Sequence, residues 1–199
     1  MFDKFYQFTG WERDGVKPVH MKLLILIAFV LVKIVGIALA ADFVGGFVHW
    51  LEDAYIREDT PVIGKWVARP NIVHHHFPRY MARFNWWHTS RDLFVVSAVL
   101  VALAWCLGVL SWEMWLFAAL AANANEFHKW EHRTRKENGR LISFLQDIKL
   151  LQTAKHHARH HTDPKNSHYC TTTNVLNPIS VRGHGPGPAW LEEYRRQPA

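Results

Sequence analysis

Two long apolar stretches constrain the fold of this chain more than any other feature. The stretch from Leu23 to Ala41 reads LLILIAFVLVKIVGIALAA and carries one charge in nineteen residues, and the stretch from Leu93 to Leu110 carries none in eighteen. Runs of roughly 18–20 such residues match the hydrocarbon thickness of a bilayer. The first run begins late and has no small-residue cleavage motif, so we do not expect a simple signal peptide. The sequence therefore predicts an all-α integral membrane protein.

The apolar pattern also predicts how the chain is organised. We expect about three to four transmembrane helices with a His-rich cap on the cytoplasmic side, all in a single domain over residues 1–199. The stretch LISFLQDIKLL within the cap is typical of an amphipathic helix at the membrane interface. The predicted boundaries are an N-terminal segment at 1–22, membrane helices at 23–53, 93–110 and 112–132, a His-bearing cap at 54–92 and 133–180, and a tail at 181–199.

The basic residues indicate a topology. The chain has 23 Lys and Arg against 17 Asp and Glu, which gives a formal net charge of +6. Because basic residues concentrate in the predicted cap, the positive-inside rule places the cap in the cytoplasm, in contact with anionic lipid. Basic residues also precede the first apolar run, so the number of crossings and the side of the N-terminus stay open. We expect an inner-membrane protein in a bacterium and an endoplasmic-reticulum-type membrane in a eukaryote. Nucleic-acid binding is not expected, because no aromatic and basic recognition module accompanies the charge.

Histidine is the residue type that points to chemistry. The chain has 14 His, mostly in clusters outside the apolar runs. Residues four apart share a helix face, which pairs His49 with Asp53 and His128 with His132. The stretch KHHARHH at 155–161 would place its four imidazoles within an arc of about 140° if it were helical. Each cluster alone has a plain alternative, either as a structural pair or as a solvated basic surface.

Taken together, the clusters indicate two metal ions. All of them emerge at one membrane face, and eight or more imidazoles exceed the roughly four positions of one zinc site. Imidazole suits iron, copper, zinc and nickel, and a redox function selects iron. Cys106 and Cys170 give no disulfide framework and no zinc-type cysteine pair. Asp42 precedes His49 by seven residues on the same face, where it either orients that imidazole or faces water.

Four motifs resemble those of the lipid desaturase family of plasmanylethanolamine desaturases, the Kua or CarF type. They read ADFVGGFVHWLED, IGKWVARPNIVHHHFP, NEFHKWEH and LQDIKLLQTAKHHARHH followed by HYCTTTNVLNP, and they keep the family's order over residues 40–178. The resemblance implies a single lipid desaturase domain with a membrane-embedded, His-ligated di-iron centre. Such a centre uses O2 and two electrons to desaturate a lipid chain.

The resemblance also implies roles for individual residues. Asp53 matches the acid of the family's HWxxD motif, and Asn125 matches the Asn three residues before the histidine of HKWxH. Asp147 either supports the ligands or belongs to the polar face of an interfacial helix. The implied iron ligands are His49, His74, His75, His128, His132, His157, His160 and His161. The further candidate ligands are Asp53, His88, His156 and His168, and the candidate supporting residues are Asp42, Asn125 and Asp147.

One stretch departs from the family pattern. Family members carry a His-Asp-Phe sequence after the His doublet and proline, whereas this chain reads RFNWWHTSRD. Phe84 occupies the position of the family histidine, and His88 follows four residues later. Either His88 replaces that histidine from the next helical turn, or the position is not a ligand here.

The resemblance implies an oxygen-dependent lipid desaturase, and in the namesake enzymes the alkyl ether of a plasmanyl lipid becomes the vinyl ether of a plasmenyl lipid. The alternatives are a fatty-acyl or lipid hydroxylase and a glycerolipid fatty acid desaturase. A non-enzymatic alternative is a haem-binding membrane electron carrier, which needs paired histidines on facing helices within the membrane. The expected substrate is a membrane phospholipid. A separate cytochrome b5- or ferredoxin-type partner would supply electrons, because no cytochrome or flavin segment is visible, and the oligomeric state stays open.

Overall fold

All regular elements in the described part of the chain are helical. The computed structural model describes residues 18–162, 165 and 167–178. Positions 1–17 of the predicted N-terminal segment, the predicted tail at 181–199 and a few positions of the predicted cap lie outside the described residues. The elements are α1 (Pro18–Tyr55), a π-helical segment (Gly64–Ala68), α2 (Arg69–His76), a 3₁₀ segment (Pro78–Arg83), α3 (Trp86–Cys106), α4 (Trp112–Ala122), α5 (Ala124–Glu131), α6 (Arg135–Asp147) and α7 (Ala154–His157).

The chain divides into two compact units, Met1–Gly36 and Ile37–Ala199. The described part of the first unit is the beginning of α1, where the Lys33 ammonium lies 5.0 Å from the ring centre of Phe29, one turn earlier. A cation over an aromatic ring at this distance is a favourable contact. Every histidine of the predicted ligand set lies in the second unit.

Within the described part of the chain, two helices are long and apolar enough to cross a membrane, as judged by length and composition. They are His20–Tyr55 and Trp86–Cys106, and Trp112–Ala122 is a shorter apolar helix. The predicted helix at 112–132 is divided at Asn123, whose side chain donates to Ala119 O at 2.8 Å. This local bond competes with helix continuation and separates α4 from α5. The prediction of three to four crossings remains a prediction.

Helix α3 has its polarity reversed relative to a helix in a water-soluble protein. It buries Ser90, Ser97 and Ala104 and exposes large apolar side chains such as Phe94 and Leu103. In water a helix buries its apolar stripe and exposes polar residues. The reversed arrangement is favourable in a bilayer. Lipid already surrounds exposed apolar side chains with hydrocarbon, so burying them inside the protein releases no water and gains no hydrophobic free energy.

Helix α6 shows the same reversal on a smaller scale. A capping box between Thr134 and Glu137 begins it, and Gly139 interrupts it with a φ of 72°, which favours glycine. Ser143 and Gln146 are buried, and the exposed large apolar side chains on and just after the helix are Leu141, Phe144, Ile148 and Leu150. This is the amphipathic helix that the sequence predicts, with its apolar side facing outwards.

Candidate metal centre

The structure brings all eight histidines of the predicted ligand set together with Asp53. They form two groups, and within each group one ligand atom from every residue lies within 4.8 Å of the others. The five-histidine group is His74, His128, His132, His157 and His161. The aspartate group is His49, Asp53, His75 and His160.

Short stretches of helix place these side chains. His49 and Asp53 lie one turn apart on α1, and consecutive residues of α2 face different groups because the helix rotates by about 100° per residue. His128 lies on α5, and His132 follows directly after it. The remaining ligand candidates come from α7 and the turn after it, where the chain leaves the helix at His157 and brings two later imidazoles inward.

The nitrogens of the five-histidine group are too close to satisfy one another. His128 Nε2 lies 3.1 Å from His74 Nε2, 2.9 Å from His157 Nε2 and 3.2 Å from His132 Nε2. His157 Nε2 is also 3.0 Å from His161 Nε2. A neutral imidazole nitrogen is either one donor or one acceptor, so these contacts bring several lone pairs together. A metal ion among them would convert the repulsion into coordination, and the residues present therefore fit a metal.

Burial keeps these imidazoles in the form that binds metals. Burial, reinforced by neighbouring imidazoles, lowers the pKa of His74, His157 and His160 well below its ordinary value. The same causes, burial first, lower the pKa of His161 to about 2. The side chains are therefore neutral at physiological pH, and neutral imidazole is a metal ligand.

A buried acidic side chain lies against one member of the five-histidine group. His157 Nδ1 lies 3.0 Å from Glu131 Oε2, and both side chains are almost completely buried. Burial raises the pKa of Glu131 well above its ordinary value, and His157 Nε2 faces the other nitrogens of the group. Sequence reasoning missed Glu131, although its position directly before His132 in KWEH was a usable signal.

Backbone carbonyls orient two histidines of the aspartate group. His49 Nδ1 lies 3.3 Å from Tyr169 O, and His160 Nδ1 lies 2.9 Å from Ser167 O. Because Nδ1–H donates to a carbonyl in each case, Nε2 carries the lone pair. The buried atoms His49 Nε2, His160 Nε2 and Asp53 Oδ2 have no hydrogen-bond partner among the described residues. Buried polar atoms without partners are rare and here mark a place for a cation.

Among the described residues, Asp53 supplies the one carboxylate found in the two groups. Its Oδ1 lies 3.0 Å from His75 Nε2 and accepts a hydrogen bond of 2.6 Å from Asn71 Nδ2. Its Oδ2 lies 3.5 Å from His160 Nε2. Asn71 therefore holds the carboxylate from α2, a role that sequence reasoning did not assign.

The two groups adjoin each other. The ring centres of His49 and His128 are 5.3 Å apart, and those of His75 and His161 are 5.0 Å apart. Each pair joins one residue of the aspartate group to one of the five-histidine group. The geometry therefore offers two neighbouring sites for metal ions.

A buried polar network holds residues 167–178, the segment that supplies both carbonyls. Asn177 Nδ2 donates to Cys170 O at 2.9 Å and to Gln152 Oε1 at 2.8 Å, and Gln152 Nε2 donates to Cys170 O at 2.7 Å. Gly46 of α1 permits close packing, because a Cβ there would lie 2.7 Å from Cys170 Sγ. These contacts fix the segment against the helix that carries His49.

Asp42 supports this segment and not His49. Its Oδ1 accepts from Thr172 N at 2.8 Å, and its Oδ2 accepts from Thr173 N at 2.9 Å and Thr173 Oγ1 at 2.8 Å. The prediction that Asp42 orients His49 directly is therefore wrong, because its carboxylate accepts from residues 172 and 173 instead. The carboxylate acts on the segment whose carbonyl orients that imidazole.

The other two candidate supporting residues lie away from both groups. Asn125 Nδ2 donates to Thr89 O at 2.8 Å and so ties α5 to α3. Asp147 forms a two-bond ion pair with Arg135, at 2.5 and 2.8 Å, on the protein surface. Of the two roles considered for Asp147, the surface role is the one observed.

Three further candidate ligands also lie outside the groups. The ring of His88 is exposed and stacks on Phe84 with centres 4.2 Å apart, so His88 does not reach either group. The ring of His156 packs against that of His168 with centres 5.2 Å apart. Because α7 ends at His157, the predicted helical face with four imidazoles does not form. His156 therefore stays outside the two groups that contain His157, His160 and His161.

An apolar helical scaffold with two adjoining groups of imidazole and carboxylate side chains defines a histidine-rich class of protein with potential metal sites. The model of the lipid desaturase domain matches residues 38–181, and the chain belongs to the lipid desaturase family. This agrees with the resemblance carried by the motifs.

Individual relatives share about a third of their aligned residues with this chain. A plasmanylethanolamine desaturase of Myxococcus xanthus is 36% identical over 147 residues, covering 70% of this chain and 51% of that protein. Plasmanylethanolamine desaturase 1 of Mus musculus is 32% identical over 167 residues, covering 77% and 61%. The chloroplastic fatty acid desaturase 4 of Arabidopsis thaliana is 30% identical over 142 residues, covering 70% and 44%. The chain thus spans about half to three-fifths of the plasmanylethanolamine desaturases that it matches. No solved structure matches it.

Proposed function

We propose that this protein is an oxygen-dependent membrane lipid desaturase in which the five-histidine group holds one iron ion and the aspartate group holds a second. The observation that carries the proposal is the convergence of nine buried or half-buried donors into two adjoining groups. Bound iron would supply O2 activation, by which a –CH2–CH2– unit, O2, two electrons and two protons give –CH=CH– and two water molecules.

The protein's own residues prepare the site for this chemistry. The carbonyls of Ser167 and Tyr169 fix imidazole protons on Nδ1, so the Nε2 lone pairs face inward. Burial of the ligand candidates excludes water, which protects a strong oxidant from side reactions. Asn71 keeps one Asp53 oxygen engaged and leaves the other directed to the aspartate group.

The surface pattern supports a place in the bilayer. Helix α3 and helix α6 both turn apolar side chains outwards and polar ones inwards. We place α1 and α3 across the membrane and α6 in its interface, with the metal groups at the cytoplasmic face. A lipid chain can then enter the site from the hydrocarbon without crossing water.

We further propose a glycerophospholipid as the substrate. Two relatives are named plasmanylethanolamine desaturases, which favours conversion of an alkyl ether to a vinyl ether. The relative named fatty acid desaturase makes an acyl chain the second candidate. Electrons would come from a separate cytochrome b5- or ferredoxin-type protein.

The test compares two histidine variants of the full-length protein. His160→Ala removes a ligand candidate of the aspartate group, and His88→Ala removes an exposed imidazole outside both groups. Iron content is measured on the purified proteins, and lipids of the producing cells are scored for acid-labile vinyl ethers and for altered acyl chains. His160→Ala should lose iron and product together, and His88→Ala should keep both. Full activity of iron-free wild-type protein would overturn the proposal.

A further inference from the structure

A cleft of about 640 Å³ opens beside the metal groups. It lies between the end of α2 and the 3₁₀ segment, and the side chains that matter here are His76, Phe77, Arg79, Tyr80 and Arg83. Its lining residues Val73 and His76 flank the metal-group histidines His74 and His75 in sequence. The cleft is separate from both metal groups, and none of its lining residues belongs to them.

The charged groups around this cleft are mostly cationic. Arg79 and Arg83 both line it. One carboxylate faces them, because Arg79 Nη2 donates to Glu137 Oε1 at 2.8 Å. The other oxygen of Glu137, Oε2, accepts from the backbone N–H and hydroxyl of Thr134. Two arginines against one carboxylate leave the cleft with a net positive charge. The guanidinium of Arg83 lies 5.9 Å from the ring of Tyr80.

The Arg79–Glu137 ion pair also indicates the level of the membrane at which the cleft lies. Glu137 lies in the first turn of α6, the helix whose exposed side carries Leu141 and Phe144. If those side chains enter the hydrocarbon, the polar start of the same helix lies at the level of lipid headgroups. The arginines of the cleft then lie at the depth of lipid phosphates.

We propose that this cleft binds the phosphate of the glycerophospholipid substrate through Arg79 and Arg83, an inference that rests on the proposed desaturase function. Guanidinium groups match the geometry of phosphate oxygens and pair with them through two parallel N–H donors. Tyr80 and Phe77 supply the amphipathic and apolar surface that suits the glycerol region above the chains.

This placement favours a bond near the headgroup as the one that reacts. Arg79 follows His75 by four residues, so their Cα atoms are at most about 15 Å apart, and the arginine side chain can shorten that span. In an alkyl ether phospholipid the ether oxygen is about five covalent bonds from phosphorus, roughly 6 Å in an extended chain. A phosphate held in the cleft therefore leaves the first carbons of the ether chain within reach of the metal groups.

The experiment measures lipid binding by the full-length protein in detergent, both metal-free and iron-loaded. The probes are an alkyl-acyl-glycerophosphoethanolamine, the matching alkyl-acyl-glycerol without phosphate, and inorganic phosphate. The variants are Arg79→Gln with Arg83→Gln, and Arg79→Lys with Arg83→Lys, which retains the charge. Lys136→Gln with Arg140→Gln is the matched control, because it removes two exposed charges of α6 outside the cleft.

The Gln pair should raise the Kd of the phospholipid at least about 10-fold, the loss expected from one or two charge-assisted bonds. Its affinity for the phosphate-free lipid should stay within about twofold of wild type, the Lys pair should lie between the two, and the control should resemble wild type. In active enzyme the Gln pair should raise KM for the phospholipid far more than it lowers kcat.

Unchanged phospholipid binding in the Gln pair would overturn the proposal, and so would an equal loss for the phosphate-free lipid. Tighter binding of inorganic phosphate than of the phospholipid would identify a free-phosphate site instead. Because binding is read without metal, a wild type that binds phospholipid through the arginines yet desaturates nothing refutes the proposed function alone. An active enzyme with wild-type binding in the Gln pair refutes the cleft alone.

Discussion

Replacing Gly46 with alanine should loosen the segment that orients the aspartate group. A Cβ at position 46 would lie 2.7 Å from Cys170 Sγ, 3.0 Å from Cys170 N and 3.1 Å from Cys170 Cα. Non-bonded carbon atoms are in favourable contact at about 3.5–4.0 Å, so the helix and the segment must separate by several tenths of an ångström or more. Backbone atoms contribute two of the three contacts, and a side-chain rotation cannot relieve them.

The neighbouring residue supplies a matched control. A Cβ at Gly45 would have no atom within 4 Å. Glycine to alanine within a helix gains roughly 0.5–1 kcal/mol at either position. Overpacking costs about 1–3 kcal/mol and applies only to Gly46→Ala. The difference between the two variants is therefore the overpacking cost itself.

Hydrogen–deuterium exchange of the full-length protein measures this difference locally. A cost of about 1–3 kcal/mol corresponds to exchange about 5-fold to 150-fold faster at protected amides of residues 167–178. The amide of Cys170, which donates to Asn177 Oδ1, is a suitable reporter. Gly46→Ala should show the faster exchange, and it should lose iron more readily because Tyr169 O moves away from His49. Equal exchange in Gly45→Ala and Gly46→Ala would refute the reasoning.

Two further predictions concern Asp42 and the pH dependence of stability. Asp42→Asn weakens three hydrogen bonds to residues 172 and 173 and should cost about 2 kcal/mol of local stability, seen as roughly 30-fold faster exchange of these amides. Asp92→Asn at an exposed position should change nothing, and equal effects in the two variants would contradict the assignment. In metal-free protein the pKa values of His74 and His161 lie below their unfolded values. The unfolded state then binds more protons, so the unfolding temperature should fall as pH drops below about 6.5. An unfolding temperature that is constant or rises on acidification would count against this account.

Local spacing predicts much of the candidate site. The one-turn separation of His49 from Asp53, and of His128 from His132, places each pair in one region because these stretches are helical. The apolar runs likewise locate α1 and α3, since hydropathy and length decide such helices. The paired residues and the apolar runs are determined by residues close together in the sequence, so they can be identified from the sequence alone.

Features that depend on distant partners or on a local break in a helix could not be predicted. A helical reading of KHHARHH places His156 beside its neighbours, but Thr153 caps a single turn that ends at His157. The carbonyl of Tyr169 orients a histidine 120 positions away, and every residue type has such a carbonyl. The amino-acid sequence therefore could not indicate which carbonyl would orient His49.

Iron stoichiometry combined with Mössbauer spectroscopy tests the central claim most directly. The full-length wild-type protein, produced with ⁵⁷Fe and purified from membranes, should hold about two iron ions per chain, one for each group. Their spectra should show all-nitrogen and mixed nitrogen–oxygen ligation, and no haem absorption should accompany them. Protein that is active with one iron ion or none, or that carries haem as its iron, would contradict the two-metal account.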